Sequence, residues 1–280
     1  MQNAILVFQC PDHKGIVAKI SNYIFKNNCN IISIDEYCTS QENGTFFIRL
    51  EFCFNSKEIT LDNLKQNFQP IAQEFNAYWQ FHDKEKLLKM GILLSKTDHC
   101  LEELLYRWST GELKVEIPFI ISNHNTHQKI IERYNIPFYL VNSDDKKQNE
   151  QQILQITENS DFLVLARYMR ILSPDFLQDY NNDIINIHHS FLPSFAGADP
   201  YQQAYDRGVK IIGSTAHFVT SDLDEGPIIE QLIEHVSHKD SVEQLKNKGK
   251  SLEKLTLAKA VELYLDHRII RFKNKTIVFK

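Results

Sequence analysis

Asn186 and His188 sit two residues apart at the end of the apolar run Ile184-Ile185-Asn186-Ile187-His188, followed by His189-Ser190-Phe191-Leu192-Pro193. Side chains alternate between the faces of an extended strand, so an amide and an imidazole point the same way while Ile185 and Ile187 point the other. A second strand-like run, Thr215-Ala216-His217-Phe218-Val219-Thr220, leads into Ser221-Asp222-Leu223-Asp224-Glu225-Gly226-Pro227 and supplies a carboxylate. Together these types could donate to an oxyanion, carry positive charge or a proton, and activate a nucleophile. Taken singly, each has an ordinary reading. Asn186 satisfies a strand end, His188 is a packed imidazole, and Asp224 belongs to an Asp-x-Gly turn.

The elements that must position these groups follow from periodicity. Residues 4–9 read as a strand, and Pro11-Asp12-His13-Lys14-Gly15 makes a turn before a helix with apolar Ile16, Val17, Ile20, Tyr23, Ile24 and Phe25. Segments 30–37 and 45–54 read as strands around an Asn-Gly hairpin signal at Asn43-Gly44. A helix over 61–75 and a strand over 77–82 complete the β-α-β-β-α-β order of a ferredoxin-like unit. The predicted N-terminal domain is therefore 1–83, and Lys84-Glu85-Lys86 marks a linker over 84–88. From 89 to 280 strands at 89–94, 116–122, 138–140, 162–165, 184–187 and 213–219 alternate mostly with helical patterns. That order specifies a mainly parallel, Rossmann-like α/β sheet covered on both faces, with ligands at the carboxyl ends of its strands, where Asn186 and His188 lie.

At 280 residues the chain has room for two domains of ordinary size. A net charge of -5 and a pI near 6.1 argue against a nucleic-acid surface. No apolar run reaches membrane-spanning length, and Met1-Gln2-Asn3-Ala4-Ile5 has no basic start, so a cytoplasmic location and no membrane partner are expected. The five cysteines, an odd number without a C-x-x-C pair, read as reduced thiols. There is no H-E-x-x-H helix, and adjacent His188 and His189 on a strand point apart, so no metal is expected. Glu102-Glu103 and the lysines of 239–254 read as solvated helix faces.

The Asn-x-His pair with His-Phe-Val-Thr-x-x-Leu-Asp-x-Gly-Pro resembles the folate-dependent formyltransferase family, and the resemblance runs almost continuously from Lys89 to the C-terminus. It implies catalytic roles for Asn186, His188 and Asp224. Asp224 would orient and deprotonate a water, Asn186 would donate to the oxyanion, and His188 would supply positive charge or a proton. It also places Leu165-Ala166-Arg167-Tyr168-Met169-Arg170-Ile171-Leu172 against folate, with Met169, Arg170 and Leu172 as contacts; His217, on the second strand, reads as a supporting residue of the same substrate site. The loop 193–201 is expected to help close the cleft, and Gln202 replaces a histidine common in relatives. The opening Cys-Pro-Asp-His-Lys-Gly-Ile-Val resembles the ACT domain, an amino-acid-sensing module. That implies ligand contacts at Asp12, Gly15 and Ile16, and a homo-oligomer. The N-terminal segment narrows the family resemblance to its deformylase branch, which implies hydrolysis of 10-formyltetrahydrofolate to formate and tetrahydrofolate, without a cofactor, in one-carbon and purine metabolism. The competing readings are a formyl transferase acting on glycinamide ribonucleotide and a non-catalytic folate or amino-acid sensor. Ser95-Lys96-Thr97-Asp98-His99-Cys100 lacks the glycines that cradle a ribonucleotide phosphate, which favours water as acceptor.

Overall fold

The computed structural model describes residues 1–193 and 200–280. Two compact units emerge: Met1–Leu87 with Asp266–Ile270 and Ile277–Lys280, and Leu88–Leu265 with Arg271–Thr276.

The first unit runs β1 (Gln2–Pro11), α1 (Ile16–Lys26), β2 (Asn30–Cys38), β3 (Thr45–Phe54), α2 (Leu61–Glu74) and β4 (Tyr78–Asp83). Its antiparallel sheet has the order β2-β3-β1-β4. Alternation sends Ala4, Leu6 and Phe8 of β1 and Ile48, Leu50 and Phe52 of β3 into one core, which Ile20 and Ile24 of α1 and Leu64 and Phe68 of α2 complete. Thr60 caps α2 by accepting from the Asn63 N–H. Gly15 opens α1 at φ 91°, a conformation that favours glycine, and Asp12 does not cap the helix with its side chain.

The other sheet face carries Val7, Arg49, Glu51 and His82 in adjoining register. Arg49 is fully buried there; its Nε and one terminal nitrogen donate to the Asp266 carbonyl at 3.1 and 3.0 Å. The His82 and His267 rings stack with centroids 3.6 Å apart. The sequence reading gave all of 89–280 to one domain. These contacts instead tie Asp266–Ile270 to the N-terminal unit, adding a carbonyl acceptor for the buried guanidinium to the Glu51 carboxylate of the sheet.

The second unit contains β5 (Leu88–Leu94), α3 (His99–Ser109), β6 (Val115–Glu116), β7 (Ile120–Ser122), α4 (Gln128–Glu132), β8 (Phe138–Leu140), α5 (Lys146–Thr157), β9 (Phe162–Ala166), α6 (Pro174–Tyr180), β10 (Asp183–His188), α7 (Pro200–Arg207), β11 (Ile211–Phe218), β12 (Ile228–His235) and α8 (Val242–Leu265). A hairpin of β13 (Ile269–Phe272) and β14 (Lys275–Val278) closes the chain. The sheet order is β12-β11-β10-β9-β5-β7-β8, with β6 also on β5. Pairings from β10 to β8 are parallel, and β10-β11 and β11-β12 are antiparallel. The chain leaves β5 toward β7 and returns on its other side as β9, so a topological switch point lies between β5 and β9.

The strand expected over 116–122 is two short pieces, because Pro118 has no N–H for the ladder. Glu103 is not a solvated charge: it takes a hydrogen bond from Arg107 at 2.8 Å and faces Lys254 of α8 at 3.5 Å.

Burial holds His82 down at about 4 and His267 at about 3, so both are neutral in the folded protein at neutral pH. Unfolded histidines take up protons near pH 6.5, so the stabilisation is full above that value and is lost as pH falls toward about 4. Urea denaturation between pH 7.5 and 4.5 should show stability declining across this window, with a shallower decline in His267→Phe. An equal slope in parent and variant would remove the pair as the cause.

Candidate active site

Asn186 and His188 lie on β10, and the antiparallel register sets Asn186 opposite His217 and His188 opposite Thr215 on β11. The cross-strand pair forms a contact: the Asn186 amide nitrogen lies 3.2 Å from His217 Nε2. His217 Nδ1 donates to the Phe218 carbonyl at 2.9 Å, which can only accept, so Nε2 is the atom that meets Asn186.

After β11 the chain turns back and returns Asp224 to the strand ends. Asp224 Oδ1 lies 3.2 Å from His188 Nδ1 and 3.7 Å from His217 Nε2. Asp224 adopts φ 58°, uncommon for a residue with a side chain. The turn is fastened two residues later, where a Cβ on Gly226 would stand 1.8 Å from the Phe218 carbonyl oxygen and the Pro227 carbonyl accepts from the Phe218 N–H at 3.0 Å. Asp224 thus belongs to the turn, and the turn aims its carboxylate at the strand ends.

The imidazoles of His188 and then His217 hold Asp224 well below the usual carboxylate range, against its partial burial. It is ionised at neutral pH, and its contact with His188 Nδ1 assigns the proton to that nitrogen. His188 Nε2 is buried without a hydrogen-bond partner among the described residues. His189, expected on the opposite face, lines the same cleft with its ring 5.0 Å from that of His188, and burial followed by the charge of Arg167 lowers it to about 4.

These groups open into a cleft of about 370 Å³, within the range of small-molecule sites. Met169, Arg170 and Leu172 line it, together with Tyr168 and Ile171. The segment is pinned by a hydrogen bond from the Met169 N–H to Ser95 Oγ at 2.9 Å. Leu172 is buried, whereas Met169, Ile171 and Leu223 expose 64%, 61% and 61% of their surface, giving the cleft an apolar mouth. Gln202 does not line it; its amide bonds Asp206 on the exposed side of α7. The loop 194–199 lies outside the described residues.

In the first unit Ile16 is buried in the core, so a ligand at the Asp12–Ile16 turn would meet its backbone rather than its side chain. Two groups beside the cleft were not singled out in the sequence. Arg167 follows β9 at φ 64° and lines the cleft, and Glu253 of α8 is buried next to it. The only sequence signal for Glu253 is a carboxylate between Leu252 and the apolar stretch beginning at Leu255, inside a lysine-rich helix.

Family models place residues 88–261 in the formyl transferase family and 4–68 in the ACT domain. Formyltetrahydrofolate deformylase of Bacillus subtilis is 47% identical over 98% of this chain and 93% of its own length. The crystal structure of a formyltetrahydrofolate deformylase from Pseudomonas syringae matches with a TM-score of 0.95 at 41% identity, covering 100% of this chain and 95% of the other. The chain belongs to the formyltetrahydrofolate deformylase family. The glycinamide ribonucleotide transformylase of Symbiobacterium toebii, by contrast, covers 72% of the chain at 26% identity with a TM-score of 0.66. Membership in the deformylase family thus accounts for the two-part chain, which the transformylase matches only in part.

Gly226→Ala should test how firmly the turn holds Asp224. Its Cβ meets backbone, not a side chain that can swing away, so denaturant unfolding should show a loss of about 1–3 kcal/mol. Unchanged stability would mean the turn can move and does not fix the carboxylate.

Proposed function

We propose that this site hydrolyses the formyl group of 10-formyltetrahydrofolate, with water as acceptor and His188, Asp224 and Asn186 as the reacting groups. The observation that carries it is the Asp224–His188 contact at the strand ends, with His188 Nε2 unengaged and the Asn186 amide on the same face. A carboxylate held so far down is a weak base by itself, so the role given to Asp224 from sequence changes. Asp224 orients a water and fixes the His188 tautomer, and His188 Nε2 takes the proton.

As the water oxygen bonds the formyl carbon, its proton passes to His188 Nε2 and the carbonyl electrons move onto oxygen, toward the Asn186 amide. Asp224 offsets the imidazolium charge. Collapse breaks the C–N bond, and His188 returns its proton to the departing nitrogen, giving tetrahydrofolate and formic acid, which ionises. Every proton in this scheme has a side chain to hold it, so the reading requires neither a metal nor an organic cofactor. Among the described residues one cluster of metal-ligand types, His99, Cys100 and Glu253, lies outside the cleft lining; Glu253 is already bonded to His99 and faces the fixed charge of Arg167.

Water as acceptor is supported at the turn before α3. No glycines cradle a phosphate there, the Asp98 carboxylate stands beside it, and the His99 imidazole is committed to Glu253 at 2.8 Å. Support for self-association comes from β2, an edge strand that exposes Ile32, Ile34 and Tyr37. An apolar edge of this kind favours pairing with a second copy. We read the ACT unit as an amino-acid sensor acting through the backbone of the Asp12–Ile16 turn. A cytoplasmic place in one-carbon and purine metabolism fits this activity, and no helix among the described residues is long and apolar enough to cross a membrane.

Purified protein with 10-formyltetrahydrofolate should release formate and tetrahydrofolate in equal amounts, unaffected by a chelator and without glycinamide ribonucleotide. A strict need for that acceptor would select the transferase reading. Asn186→Ala should lower turnover by about a hundredfold to a thousandfold, and His188→Ala by at least about a hundredfold. Folate KM should change little in either, and the double variant should lose less than the product of the two. If His188→Ala kept turnover within about threefold, His188 would not be the proton carrier.

A further inference from the structure

We propose that Arg167 holds the formate anion as it forms, and that Glu253 is the residue that positions it; this rests on the hydrolytic reading above. The reaction turns an uncharged formyl group into a carboxylate inside a cleft that already contains ionised Asp224. Two anions in one partly dry cleft repel, so release of the C–N bond would be opposed unless a fixed cation faces the product.

Arg167 is placed to be that cation. It follows β9, the strand beside the one bearing Asn186 and His188, and its side chain, 16% exposed, lines the same cleft. His189, which shares that lining, is neutral at working pH. Guanidinium never loses its charge in this range, and its planar fork matches a carboxylate in two parallel hydrogen bonds.

The backbone conformation at Arg167, φ 64°, is one that long side chains seldom adopt, and the surroundings must impose it. Glu253 is 2% exposed and accepts from His99 Nε2 and the Tyr201 hydroxyl, each at 2.8 Å. Arg167 Nε stands 3.4 Å from the same carboxylate and is buried without a hydrogen-bond partner among the described residues. Burial opposes the charge of Glu253, but the bond from His99 and the charge of Arg167 outweigh it, so the carboxylate stays ionised. The anchor thus attracts Arg167 by charge without closing a hydrogen bond at Nε, which leaves the guanidinium able to reorient toward an incoming anion.

The test measures formate as an inhibitor of hydrolysis by the full-length protein at constant ionic strength, with chloride as control, and formate binding by titration of 13C-formate in NMR without folate. Arg167→Met should weaken formate at least about tenfold in both measurements. Arg167→Lys, which keeps the charge but not the fork, should recover part of the affinity. Glu253→Gln should weaken formate by a smaller factor with KM unchanged, as expected of a positioning residue. Formate affinity equal in parent, Arg167→Met and Arg167→Lys would overturn the inference. Should Arg167→Met not fold, a folded Arg167→Lys with parental formate affinity would overturn it equally. A parent that binds formate but does not hydrolyse the folate would sink the hydrolytic reading while the NMR series still decides Arg167.

Discussion

The antiparallel register between β10 and β11 is the constraint on which the site depends. It sets Asn186 against His217 and sends the chain on into the turn that returns Asp224 to His188. Side chains alternate along a strand, so a slip of one residue would exchange the face of Asn186 and His188 with that of Ile185 and its neighbours. The buried isoleucines on one face therefore lock the polar groups on the other. Gly226, pressed against the Phe218 carbonyl, extends that control past the end of the strand to the carboxylate.

Charge distribution follows from the same placement. Isolated buried charges are costly, and each one here is met by partners from distant parts of its own unit. Asp224 is shared by two imidazoles; Glu253 is met by His99, Arg167 and Tyr201. Arg49 is met by a backbone carbonyl and by Glu51 at 3.5 Å. Networks of this kind tolerate poorly the loss of one member, because the remaining charge is left without its partner.

The first unit uses the same logic for a different end. Its sheet has a conventional apolar face under two helices and a second face carrying Arg49, Glu51 and His82. The segment from Asp266 completes that second face by a carbonyl and a stacked imidazole. A deletion of residues 1–83, a natural way to test an N-terminal module, would therefore also strip partners from the C-terminal segment.

Much of the fold was legible in the sequence because its signals are local. Alternating and 3.6-residue patterns gave the β-α-β-β-α-β order of the first unit and most strands of the second, and the Asn186-x-His188 alternation put those two groups on one face. The resemblance to formyltransferases added Asp224, which lies 36 positions after His188 and whose approach no local pattern reports. What depended on tertiary structure was set by distance along the chain. His217 became part of the site through register, and His189 entered the cleft although strand alternation pointed it away. In the proposed mechanism the base is His188 rather than Asp224, because two imidazoles hold the carboxylate ionised. Arg167 and Glu253, 86 residues apart, carry no shared periodicity, and a carboxylate in a lysine-rich helix reads as solvated until the fold buries it. Periodicity reports which face a residue occupies on its own element; only packing decides which charge it meets there.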